Sequence, residues 1–259
     1  MASYNSYKTV KTDQIPADAI TKEKLNIDAR HCFCTRWIYG GVGACAAGQC
    51  CAWTVPDRVR RVFWEIWGAG GNGHGACSCD RCHHYKGAGG GYYNSKMIDT
   101  CQGCVYTVCA GGVYPCYSRE CTACNGCTSY VNGYNLSNFC AIGGETGRAE
   151  TSWANPCFSE FSCCVGPVQN GGDFGMGNHT GVWSGIFNCH CQSQFTMPTA
   201  APFLGGQVEQ PIHVCWIRCG CWVVPYGHGG QGGMSSYCGT SCCGQGGTGG
   251  AGVVKITYT

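Results

Sequence analysis

At 259 residues the chain is long enough for one substantial domain with an arm, and its net charge of +2 excludes the dense basic face that phosphate binding requires. With 43 glycines, 27 cysteines and charged residues held to 12%, it is neither an ordinary helical protein nor a typical disordered tail, which high net charge and low hydrophobicity keep open. Leucine occurs only at Leu25, Leu136 and Leu204, and the remaining apolar content is Val, Ile, Trp, Tyr and Phe, which suit strands. An all-β fold is expected.

Residues 1–30 read as a polar arm. Four of the seven lysines lie in the first 24 residues, Thr21 could cap one short helical turn, and Ile15, Ile20 and Leu25 are too sparse to form a core. The opening MASYNSYKTVKTDQIPADAI has no apolar core of a signal peptide, and no later stretch approaches the roughly 20 apolar residues of a membrane span. Residues 31–53 form a cysteine-rich connector, and Val55-Pro56 marks the start of a main domain over 54–259.

The centre of that domain is the stretch from Arg58 to Gly91. Val62, Trp64 and Ile66 alternate with Phe63, Glu65 and Trp67 and predict a half-buried strand. Arg58, Arg60 and Arg61 at its start suit an exposed sheet edge. The strand runs into glycine, and Gly68, Gly70 and Gly73 fit G-x-G-x-x-G. A dinucleotide-binding turn needs a following helix to hold the pyrophosphate, whereas HGACSCDRCHHYKGAGGG over 74–91 offers glycines and cysteines in place of helix formers. The glycines are therefore read as architectural, sited where backbones approach closely or take positive φ.

Further along, 92–98 and 104–109 predict strands on either side of a turn at Gln102-Gly103. Residues 110–180 read mainly as loop, with turn signals at Asn125-Gly126, Asn132-Gly133 and Asn170-Gly171. Strands are expected over 181–187 and 212–224. A glycine tract over 227–252 precedes the alternating segment Val253 to Thr259, which should pair within the sheet that begins at Arg58.

Cysteine at this density normally marks a disulfide scaffold in an oxidising place. C-x-C pairs (Cys32/Cys34, Cys77/Cys79, Cys189/Cys191, Cys219/Cys221) put both sulfurs on one face of a strand, and adjacent pairs (Cys50/Cys51, Cys163/Cys164, Cys242/Cys243) point to opposite faces. Each member of such a group should find a different partner and so staple neighbouring loops. The competing reading is a zinc site of Cys77, Cys79 and Cys82 with His83 or His84, with C-x-x-C spacing as its support. For catalysis the sequence lacks G-x-S-x-G, H-E-x-x-H and a Walker motif, and Glu145, Glu150 and Glu160 are scattered on apparent loops. No enzyme is expected.

Taken together, VFWEIWGAGGNG, then GAGGGYY, a valine-rich strand running into AGG, the late glycine tracts and the terminal GGAGVVKITYT resemble the glycine-rich domain of bacteriophage tail-fibre and adhesin proteins. The likeness covers 54–259 in layout and is most specific at its two ends. The leading DQIPADAITKEKLN is similar to segments that dock such fibres to a virion. The resemblance implies a trimeric or otherwise oligomeric surface protein, with glycine runs packed as extended polyglycine helices and loops that touch the host envelope.

The cysteines, which ordinary tail fibres lack, point to a cross-linked appendage or decoration protein of the kind that phages of oxygen-evolving aquatic bacteria could carry, oxidised after the host lyses. The expectation is thus a disulfide-stapled, glycine-rich β-sandwich with long irregular, polyglycine-II-like loops and an extended N-terminal arm. It would act as a non-enzymatic virion adhesion protein at the particle surface without nucleic acid as a partner, the alternative being a Cys/His zinc-binding or redox protein. Tyr117, Tyr130, Tyr134, Trp153 and Trp183 are candidate contacts to surface glycans.

Overall fold

The computed structural model of the chain describes residues 33–41, 48–73, 76–77, 84–85, 88–113, 124–146, 149–150, 171–177, 183–184, 195–196, 201–204, 226–229, 243–244 and 247–259. The expected docking arm, the predicted strand over 212–224 and most of that over 181–187 lie outside them. The described secondary structure is all strand, as the aromatic and β-branched composition requires. Among the described residues no helix is long and apolar enough to cross a membrane.

Among the described residues, nine strands of three residues or more build two antiparallel sheets. They are β1 (Cys34–Tyr39), β2 (Gln49–Thr54), β3 (Arg61–Trp67), β4 (Tyr93–Asp99), β5 (Val105–Ala110), β6 (Ser129–Gly133), β7 (Leu136–Ala141), β8 (Phe174–Met176) and β9 (Val253–Tyr258). The first sheet runs β1-β9-β3-β4-β8 and the second β2-β5-β6-β7. Two-residue pairings also join 76–77 to 243–244, 84–85 to 149–150 and 183–184 to 195–196.

The two sheets face each other across one core. Val62, Trp64 and Ile66 of β3 are fully buried with Ile38, Ile98, Val254 and Ile256, against Trp53, Tyr106, Val108, Val131 and Phe139 of the second sheet. This is the alternation expected of a strand packed on one side. Trp53 meets Trp64 edge-on at 5.4 Å, and Trp64 lies 5.1 Å from Tyr106, arrangements that suit the ring quadrupoles. The Tyr106 hydroxyl reaches Thr100 at 2.7 Å and donates to the Tyr134 carbonyl at 3.0 Å. Burial raises its pKa above the ordinary phenol value.

The terminal strand pairs with β3 over its whole length, Val253 opposite Trp67 and Tyr258 opposite Val62, as its alternation predicts. Three other expectations need correction. First, 31–53 is more than a connector: β1 pairs with β9, and β2 pairs with β5, so the sheets begin at Cys34. Second, Arg58, Arg60 and Arg61 do not mark an edge. They are exposed, but β3 lies between β9 and β4, and the exposure comes from its free N-terminal end, where Arg61 Nε donates to Asp99 Oδ1 at 2.9 Å.

The strands expected on either side of the Gln102-Gly103 turn are present as β4 and β5. The turn between them, with Gly103 at φ 76°, carries the chain from one sheet to the other, and β5 pairs with β2 and β6. Third, the stretch 110–180 contains the β6–β7 hairpin and β8. A register shift between Val131 and Gly133 breaks the hairpin's alternation, which leaves no clean period of two to read.

Beyond one end of the sandwich the strands continue as glycine segments. Successive amides of Gly68, Ala69, Gly70, Gly71, Asn72 and Gly73 donate to the carbonyls of Tyr92, Cys127, Gly250, Gly89, Cys124 and Gly247, at 2.8–3.0 Å. Each neighbouring segment is thus engaged at every third residue, running antiparallel. A β-strand would engage its neighbours at every second residue. Three-fold repetition without internal bonds is the pattern of extended polyproline- or polyglycine-type helices.

The outer segments bond to one another as well: Gly89 to Glu145, Gly91 to Gly227, Gly126 to Gly144, and Gly250 to His228. A Cβ placed on Gly70 would strike the His228 carbonyl oxygen, and one on Gly143 would strike that of Gly126. These glycines are required by backbone approach.

Two disulfides are described. Cys50–Cys109 joins residues directly opposite on β2 and β5. Cys51, its neighbour, points the other way and packs against the core, as an adjacent pair should. Cys101–Cys104 closes the Gln102-Gly103 turn on itself, so the C-x-x-C group here does not staple separate loops. Among the described residues, Cys34 and Cys51 are not in a disulfide.

Candidate functional site

The amides that a nucleotide-binding turn would aim at phosphate are committed: those of Gly68, Gly70 and Gly73 bond to backbone carbonyls. Among the described residues no group of three or more His, Cys, Asp or Glu could hold a metal. Cys77 pairs through its backbone with Cys243, while Cys79, Cys82 and His83 of the expected zinc set lie outside the described residues.

Of the glycan candidates, Tyr130 and Tyr134 have described side chains. Tyr130 is on β6, facing away from the core, with its hydroxyl 3.9 Å from Cys50 Sγ, and Tyr134 is exposed at the β6–β7 turn. Tyr117 and Trp153 are outside the described residues, and Trp183 contributes only a two-residue backbone pairing.

A different set of rings comes together on the outer face of the first sheet. Strand register fixes it, because residues two apart on one strand share a face and meet their cross-strand partners there. One row reads Trp37, Lys255, Glu65, Ser95 and Phe174, and the next Tyr39, Val253, Trp67, Tyr93 and Met176. Ring contacts run through both rows: Trp37 lies 6.4 Å from Tyr39 and 6.2 Å from Trp67, with interplanar angles of 6° and 20°. Trp67 lies 5.0 Å from Tyr93, Tyr93 is 4.9 Å from Phe203, and Tyr39 is 4.7 Å from Tyr226.

Exposure divides these rings into two groups. Trp67 and Tyr93 are buried, and Trp67 Nε1 donates to the Pro202 carbonyl at 2.6 Å. The expected half-buried strand is thus covered on both sides at that end. Trp37, Tyr39 and Tyr226 stay open, at 40%, 43% and 45%, as do Phe174 and Phe203.

An ion pair sits among the rings. Lys255 Nζ is 2.6 Å from Glu65 Oε2 and 5.5 Å from the Trp37 ring centroid, within cation–π range. Tyr93 donates its hydroxyl hydrogen to Glu65 Oε1 at 3.2 Å. Burial first, then the Glu65 charge, pushes the Tyr93 pKa up to about 12.

The glycine bundle positions this face. Tyr39 immediately precedes Gly40, whose amide bonds to Gly252, and Tyr226 precedes Gly227, whose amide bonds to Ala251. Trp67 precedes Gly68 and Val253 follows Gly252. The seam is closed by Ser129, whose hydroxyl donates to the Trp67 carbonyl at 2.6 Å and accepts from the Gly111 amide at 2.8 Å. The second row therefore lies where sandwich meets bundle, and its rings are held by backbone bonds just beyond them.

Sequence reasoning missed this face, although two signals were present. Phe63 and Trp67 on the supposed solvent side of β3 are too apolar for a solvated face, and Trp37-x-Tyr39 puts two rings on one side of β1.

Fold and face together define a type of molecule: a disulfide-linked β-sandwich, continued by a bundle of hydrogen-bonded glycine segments, with a group of open aromatic side chains on one sheet face that reaches the junction. No protein-family model matches the chain, and no curated protein does so.

Proposed function

We propose that the protein is a non-enzymatic structural and adhesion component of a bacteriophage particle, a tail fibre or a smaller surface appendage. Residues 1–30 dock it to other virion proteins, copies of the chain assemble as a homo-oligomer, with a trimer favoured, and the sandwich faces the host surface. The supporting observation is the glycine bundle. Its amides are spent on holding backbone to backbone, an arrangement that confers stiffness, and it leaves the aromatic face poised at its border. A scaffold that presents a contact surface is the use such an arrangement fits. The layout of the glycine-rich stretches and their likeness to phage adhesin domains supply the setting, a particle exposed to oxidising surroundings.

Immunogold labelling of purified particles of a phage encoding this chain tests the proposal. The expected result is label at the particle surface, with antibody to the full chain blocking attachment to host cells. Recovery of the protein only from the soluble fraction of infected cells contradicts it.

A further inference from the structure

We infer that the outer face of the first sheet, around Trp37, Tyr39, Tyr226 and Lys255, is a binding site for a neutral carbohydrate. The assignment rests on the adhesive reading above and gives it a ligand class.

Three features of the face favour a sugar. Trp37 and Tyr39, both open, present near-parallel rings at a spacing of 6.4 Å, with the buried Trp67 behind them at 6.2 Å from Trp37. The negative faces of such rings attract the weakly positive C–H bonds on one side of a pyranose. The second feature is the ion pair between the rings. An apolar protein surface closing over Lys255 and Glu65 would strip both charges of water, at a cost that attraction between them does not reliably repay. Sugar hydroxyls both donate and accept, so they would replace that water at Lys255 Nζ and the Glu65 carboxylate. Third, Lys255 and Glu65 cancel in charge, so the pair gives no pull on a polyanion.

The site is also preorganised. Tyr226 and Tyr39 are each followed by a glycine bonded into the bundle, so less freedom is lost when a ligand settles on them.

The test uses the oxidised full-length chain and three neutral oligosaccharides, maltohexaose, cellohexaose and chitohexaose, followed by tryptophan fluorescence and calorimetry. Saturable binding of at least one, with Kd of about 1 mM or tighter, is expected. Trp37→Ala should weaken it at least tenfold, Trp37→Tyr should recover part of the loss, and Val105→Ala, at an exposed position on the other sheet, should leave it unchanged. Circular dichroism of each variant checks that it folds. Failure of all three sugars to saturate the protein, or wild-type affinity in a folded Trp37→Ala, overturns the inference. Sugar binding by a chain that never labels particles would sink the virion reading alone, and particle labelling without sugar binding would sink this inference alone.

Discussion

The sandwich and the glycine bundle are built from opposite kinds of residue. In the sandwich, large side chains such as Trp64, Tyr106 and Phe139 fill the space between sheets, so stability follows apolar area removed from water. In the bundle, backbones lie so close that even a methyl group would strike a carbonyl at Gly70 or Gly143. Order there comes from amides satisfied by a neighbouring chain. The sandwich should fail when atoms are deleted, and the bundle when they are added.

The largest effects test that reciprocity directly. Trp64→Ala should cost about 3–5 kcal/mol in urea unfolding by cavity creation. Gly70→Ala, a gain of one carbon, should cost about 3 kcal/mol or more, because backbone and not a flexible side chain must shift. Gly103→Ala separates space from backbone strain. That glycine has φ 76° with nothing near its missing Cβ, so only the left-handed conformation is penalised, by about 1–2 kcal/mol. Equal losses at Gly70 and Gly103 would mean that the bundle is looser than the geometry states.

The disulfides sharpen the comparison next. Cys50–Cys109 closes a separation of 59 residues and Cys101–Cys104 one of 3. Loop entropy assigns them about 4 and about 1.5 kcal/mol. Serine replacement of Cys50 and Cys109 together should therefore lower the unfolding midpoint more than the same change at Cys101 and Cys104.

At the junction of the two regions, Ser129→Ala leaves the Gly111 amide and the Trp67 carbonyl without their shared partner, a loss of about 1–3 kcal/mol. Faster hydrogen exchange on both sides of the seam would mark that coupling.

The smallest effect is a pH dependence. Tyr93 titrates near 12 in the folded chain and near 10 when unfolded. Above pH 10 the unfolded state gives up this proton first, so the stabilisation is complete below about pH 10 and fades as pH rises toward 12. Tyr93→Phe should flatten that limb of the stability profile.

Much of the first sheet was legible because Val62-Trp64-Ile66 and the strand from Val253 keep a strict period of two. The second sheet was less so. Only Trp53 of β2 is buried, so β2 shows no two-sided pattern, and Ser129 is a polar residue at a core position. The glycine runs announced close backbone approach, but their three-fold connectivity depends on which segments meet, and sequence spacing does not specify that. The aromatic face is assembled across the five strands of the first sheet, so it emerges only once their register is known.

Native-state hydrogen exchange across Gly68 to Gly73 tests the central claim most directly. Each of these six consecutive amides donates to another segment, so all six should be protected together, with comparable opening free energies. Protection at alternate residues would mark an ordinary strand edge, and exchange at the rate of an open chain would mark a loop; either contradicts the bundle.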